Sequence, residues 1–160
     1  MRIPVPALRD RRTVDRLLTS FFRDYRAADF RRAVVQLSRF YRLKTPPVHW
    51  YEYLDWGKSG GRTYENGRIH LVHPENWKRG RKYGSERQWI FTVYHEMGHY
   101  VLWSDPERKA DTFAWRLIRG IAQRTTGMPS ATTLAASRAR RKGPVTRSGS
   151  RPRRPQSRSR

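Results

Sequence analysis

From Ser85 to Trp103 the chain runs without a proline and carries Trp89, Ile90, Val93, Met97, Val101 and Leu102 at spacings that bury a helix. Inside this run stands His95-Glu96-Met97-Gly98-His99. No other stretch constrains the fold as strongly. On a helix of 3.6 residues per turn, His95 and His99 leave the same face one turn apart, so both ring nitrogens reach one metal ion. Glu96 then lies beside that ion rather than on it, where its carboxylate can take a proton from a water the metal has made acidic. This is the HExxH pattern of zinc hydrolases. Ser85 is the expected N-cap of the helix. Gly98 costs about 1 kcal/mol relative to alanine in a helix interior, which implies another backbone or a substrate passing close by.

Two histidines leave a catalytic zinc one protein ligand short. Just downstream, Ser104-Asp105-Pro106 reads as a break and restart, with Asp105 as cap and Pro106 at the first helical position. Phe113, Ala114, Leu117, Ile118 and Ile121 carry the apolar pattern onward. Glu107 falls in the first turn of this second helix and Asp111 one turn later on the same face. A hairpin of the two helices would present Glu107 to the metal and Asp111 to the outer nitrogen of a ligating histidine, a contact that fixes ring orientation and tautomer.

The two segments His95-Glu96-Met97-Gly98-His99 and Glu107-Arg108-Lys109-Ala110-Asp111-Thr112-Phe113-Ala114 resemble the ImmA/IrrE family of metallopeptidases, whose motif runs HExGH and then ExxA(N/D)xFA. The resemblance covers roughly residues 64–118 and is concentrated in the last third of that span. It implies a small gluzincin-like α+β fold, Zn2+ held by His95, His99 and Glu107, catalysis by Glu96 and support from Asp111. One departure is visible, Leu117-Ile118-Arg119-Gly120, where members often carry two leucines, a methionine and a proline. It bears on the substrate-side loops more than on the metal site.

Upstream, residues 10–25 and 29–43 show helical spacing, through Val14, Leu18, Phe21 and Phe22 and then Phe30, Val34, Leu37 and Tyr41. Pro46-Pro47 stops the second helix, residues 48–54 read as an aromatic strand, and residues 57–61 as a turn-rich connection into a short hairpin. A strand over 67–73 ends at Pro74, followed by a basic loop over 76–84. The expected architecture is α+β, with two opening helices, a short antiparallel sheet and the two motif helices. In gluzincin-like folds an edge strand aligns a peptide by main-chain hydrogen bonds, and Ile69, His70, Leu71, Val72 and His73 are the candidate substrate-binding edge. His49, His70 and His73 otherwise read as surface or packing residues, with His73 or Tyr94 as the alternative donor to an oxyanion.

The 160 residues suffice for one domain, expected over 1–127, with a helical part near 10–43 and the sheet and motif helices near 47–124. Hydrophobic residues make up only 36% of the chain, and the shortfall lies mainly beyond residue 127. No cysteine is present, which excludes disulfides and thiolate metal sites. The first twelve residues lack an apolar run and no 18 apolar residues occur together, so the expectation is a soluble, cytoplasmic protein without membrane contact.

Charge is the second large feature. There are 35 Lys and Arg against 13 Asp and Glu, a formal net charge of +22. No acidic residue follows Asp111, and residues 137–160 hold ten Lys or Arg among serines, glycines and prolines. The segment 128–160 is therefore expected to be a disordered Arg-rich tail, able to hold nucleic acid by counterion release or to be a solvated charge run only. Three readings follow: a zinc peptidase acting on a protein or peptide substrate such as a regulatory or DNA-bound protein, a DNA-associated SprT-like metalloprotease, and a basic nucleic-acid-binding protein with an inactive metal site. A helix-turn-helix reading of the first two helices lacks the glycine turn between them.

Overall fold

Periodic apolar residues build the first layer. In the computed structural model, which describes residues 3–80, 83–103 and 106–121, helix α1 (Leu8–Asp24) buries Val14, Leu18, Phe21 and Phe22, a stripe one helical turn apart. Helix α2 (Ala27–Phe40) answers with Phe30, Ala33, Val34 and Leu37. The chain reverses between them through Tyr25, which takes the left-handed conformation at φ 57° and returns its N–H to the Phe21 carbonyl. Phe21 and Phe30 meet across this hairpin at 5.1 Å between ring centroids, and Phe30 reaches Trp50 of the sheet at 4.7 Å.

The sheet has three strands in the order β1-β3-β2, where β1 is Val48–Tyr51, β2 Gly61–Thr63 and β3 Ile69–Val72. It is mixed rather than antiparallel: β1 runs parallel to β3 in the register Val48↔Ile69, whereas β2 pairs antiparallel to it, Arg62 opposite His70. The reason is connective. The 52–60 segment carries the chain from β1 past the place where β3 will insert, so the hairpin return from β2 lands between the two. Ile69–His73 is consequently no edge. The strand β3 is the middle of the sheet, with Ile69, Leu71 and Val72 buried and its main chain paired on both sides. The edge on that side of the sheet is β2.

Pro74 ends the strand and also starts a helix. The segment expected as loop begins with α3 (Pro74–Arg79), capped by His73, whose Nδ1 accepts the Glu75 N–H at 3.2 Å. Helix α4 (Glu86–Leu102) follows from Ser85 through a capping box with Gln88. It is buried on most sides, through Trp89, Ile90, Val93, Tyr94, Met97 and Gly98, because α1, the sheet and α5 (Glu107–Ile118) all pack on it. The Trp89 indole N–H donates to the Val72 carbonyl at 3.0 Å, fixing α4 to the central strand. Asp15 of α1 pairs with Arg87 at 2.6 Å, and Arg11 donates to the carbonyls of Arg116 and Leu117, holding the last turn of α5.

Helix α5 starts one residue later than expected, with Pro106 at the cap position. Asp105, expected to cap it, lies outside the described residues, as do the tail from 128 and the last residues of the domain expected to end at 127. Among the described residues, no helix is long and apolar enough to cross a membrane.

Candidate metal centre and cleft

Gly98 explains how the two motif helices come together. A Cβ at this position would stand 3.1 Å from the Ala110 Cα and 3.1 Å from a Phe113 ring carbon, so the missing side chain is the space into which the α5 backbone fits. This close crossing brings the first turn of α5 over the histidine face of α4. His95 Nε2 lies 3.1 Å from His99 Nε2 and 3.0 Å from a Glu107 carboxylate oxygen, whose second oxygen is 3.6 Å from His99 Nε2.

These distances suit a shared cation. A tetrahedral ion with ligand bonds of about 2.0–2.1 Å has ligand atoms roughly 3.3 Å apart, close to the separation of the two histidine nitrogens, and each of the two Glu107 oxygens faces one of those nitrogens. One ligand atom from each of His95, His99 and Glu107 lies within 4.8 Å of the others, a group that can hold a metal ion. Asp111 lies 2.9 Å from Nδ1 of His95, the nitrogen that faces away from the cluster. A proton on Nδ1 shared with this carboxylate leaves Nε2 as a lone-pair donor toward the ion. Both histidine side chains are mostly buried, whereas Glu107 and Asp111 stand at the mouth.

Glu96 is only 5% exposed and lies between α4 and β2. The Thr63 hydroxyl sits 2.7 Å from Glu96 Oε2 and 3.0 Å from the Glu96 main-chain carbonyl. Burial pushes the Glu96 carboxyl above the ordinary range; the Thr63 hydrogen bond and the charges of His95 and His99 oppose that rise, and Glu107 adds to it. The outcome is a carboxylate more basic than one in water, adjacent to the cluster. Gly61 is needed for this arrangement, since a Cβ there would lie 2.6 Å from the Glu96 Cγ.

The cluster opens into a cleft of about 580 Å³, walled on one side by residues 58–63 and on the other by Phe91, Thr92 and the α5 carboxylates. Because Arg62 stands opposite His70 in the antiparallel ladder, with Val72 N–H bonded to the Gly60 carbonyl and Tyr64 N–H to that of Arg68, the main-chain groups of Gly61 and Thr63 point away from β3. They form the outer edge of the sheet at the cleft, where the Gly61 carbonyl accepts the Ser59 hydroxyl at 2.6 Å.

Sequence reasoning brought together His95, Glu96, His99, Glu107 and Asp111, and these five line one cleft. The segment Ile69–His73 does not line it. His73 caps α3 and packs edge-on against Phe21 at 5.7 Å and Trp50 at 5.4 Å. Tyr94 is 1% exposed within the core, where burial raises its hydroxyl pKa. Neither is placed to meet an oxyanion at the cluster. Thr63 and Gly61 were missed; their signal was the Gly-Arg-Thr-Tyr run after the glycine pair, too short to stand out as a strand. No protein-family model, curated protein or solved structure matches the chain.

Proposed function

We propose that this protein is a zinc-dependent metallopeptidase of the ImmA/IrrE, gluzincin-like type, which hydrolyses a peptide bond in a protein substrate within the cytoplasm. The observation that carries the proposal is the conjunction of a His-His-Glu cluster with a buried carboxylate of raised basicity and an outer sheet edge in the same cleft. A divalent ion bound by His95, His99 and Glu107 would polarise the scissile carbonyl and lower the pKa of water toward about 7.

The chain's own residues supply the remaining steps. The Gly61 N–H and the Thr63 main-chain groups hold an extended peptide by strand addition, setting its carbonyl toward the cluster, while the Gly61 carbonyl stays with the Ser59 hydroxyl. Glu96 takes the proton of the attacking water at its carboxylate and passes it to the leaving amine nitrogen. Thr63 keeps that carboxylate oriented. Asp111 holds His95 in one tautomer.

The test combines metal content with turnover on a peptide library. Wild-type protein should retain about one zinc per chain after dialysis and cleave; Glu96→Gln should retain zinc and lose cleavage; His99→Ala and Glu107→Ala should lose zinc. Full zinc content in Glu107→Ala would remove that residue from the ligand set, and undiminished cleavage by Glu96→Gln would end the general-base assignment.

A further inference from the structure

The face of the sheet turned away from α4 carries no part in the reaction proposed above, yet its composition is specific. Side chains alternate along a strand. Since Ile69, Leu71, Gly61 and Thr63 point inward, the outward positions fall to Arg68 and His70 on the central strand, Arg62 and Tyr64 on one side, and His49 and Tyr51 on the other. None of the six is acidic and none is aliphatic; Val72, which alternation sets on the same face, is buried, so the open part of the face is the part around His70.

The rings among them form a contiguous cluster centred on His70. Tyr51 stacks on His70 at 4.6 Å between centroids with 29° between planes, Tyr64 lies 4.5 Å from His70 tilted by 54°, and His49 is 5.5 Å away and closer to edge-on at 64°. Both tyrosines are 39% exposed. Burial and, after it, the charges of the nearby Arg68 and Arg62 lower the pKa of His70. The local field is therefore positive. Arg62 shares its guanidinium with Asp55 at 3.1 Å in an exposed pair, an interaction weak enough to be exchanged for a phosphate.

We infer that this outer face of the sheet binds single-stranded nucleic acid, with bases stacked on Tyr51 and Tyr64 across His70 and the phosphates held by Arg62 and Arg68. Exposed rings interleaved with arginines match a ligand that alternates π-faces with negative charge. An acidic peptide would use the arginines and leave the rings idle. Duplex offers no unstacked base to the rings. The formal charge of +22 favours a polyanionic partner in general, but the rings alone account for a preference for bases over charge. Because Arg62 belongs to the edge strand of the metal cleft as well, the bound strand would lie beside the cleft without filling it.

The test uses the full chain, fluorescein-labelled fifteen-nucleotide oligothymidylate and anisotropy at about 300 mM salt, where purely electrostatic binding is weak. Wild-type protein should bind this probe on the order of tenfold or more tightly than an abasic oligonucleotide of equal charge. Replacing both Tyr51→Ala and Tyr64→Ala leaves the charge unchanged, so contributions from basic residues elsewhere persist, and should abolish that preference; the Tyr51→Phe, Tyr64→Phe pair should keep it. Should the alanine pair not fold, Tyr64→Ser alone, just beyond the end of β2 and bonded to the ladder by its main chain only, should still weaken binding several-fold. Equal affinity for the thymidylate and abasic probes, unchanged binding in a folded alanine pair, or competition by polyglutamate as effective as by thymidylate would each overturn the inference.

Discussion

Replacing Gly98 by alanine sets two physical effects against each other at the centre of the site. Alanine gains about 1 kcal/mol over glycine in a helix interior, so on propensity alone the variant is stabilised. Against this, the new Cβ would meet the Ala110 Cα at 3.1 Å, a Phe113 ring carbon at 3.1 Å and the Ala110 carbonyl oxygen at 3.3 Å. Two of the three obstacles are backbone and cannot rotate away. Relief to ordinary contact, about 3.5–4.0 Å between carbons, requires α5 to retreat by several tenths of an ångström. Overpacking of this kind costs about 1–3 kcal/mol, so the net effect lies between neutral and about 2 kcal/mol of destabilisation. The larger consequence is chemical. Ala110 lies between Glu107 and Asp111, so the retreat carries both carboxylates away from His95, to which they now stand at 3.0 and 2.9 Å. Ligand distances tolerate only about 0.2 Å of error. We therefore expect Gly98→Ala to lose about tenfold or more in zinc affinity, measured by chelator competition, while the metal-free protein melts at the same or a lower temperature. An apo midpoint raised by about 4 °C, the gain that propensity alone would give a domain of this size, together with unaltered zinc affinity, would refute the reasoning.

Two further outcomes concern protonation. In Thr63→Val the hydroxyl that stabilises ionised Glu96 is gone, so the Glu96 pKa rises further and the acid limb of kcat/KM for peptide cleavage should move to higher pH, with zinc content retained; an unmoved limb would dissociate Thr63 from the base. His73 is held below its ordinary pKa chiefly by burial, and its neutral Nδ1 accepts the α3 cap bond. The unfolded chain therefore takes up the proton first, so this stability is complete above about pH 6.5 and is lost as pH falls below it. Asparagine, a good cap that does not titrate, should flatten the decline of the melting midpoint between pH 7.5 and 5 in His73→Asn; an equally steep decline would place the pH sensitivity elsewhere.

The parts of the molecule that could be read in advance are those whose geometry is local. His95, Glu96 and His99 share one helix face by the pitch of the helix itself, and α1, α2, α4 and α5 each bury enough periodic apolar residues to declare themselves. The close approach expected at Gly98 is met by the Ala110 backbone. What escaped was short or relational. The three residues of β2 and six of α3 are too few for a period to register, and Pro74 signals the end of a strand as well as the start of a helix.

The exchange of edge for centre between β2 and β3 has a deeper cause. Strand order depends on where the 52–60 segment crosses, and no local preference encodes that. A trace was present nonetheless: Leu71 and Val72 are adjacent and both buried, a break in alternation that suits a strand whose end is covered on both faces and not an edge facing a cleft. Gly61 completes the argument. Where the strand passes closest to the Glu96 Cγ, at position 61, there is no room for a side chain, so the very residue that makes Gly60-Gly61 look like a turn is what the edge beside Glu96 requires. The His-His-Glu half of the cleft is thus written in one helix and the first turn of the next, whereas the half proposed to hold a peptide exists only once the sheet has formed.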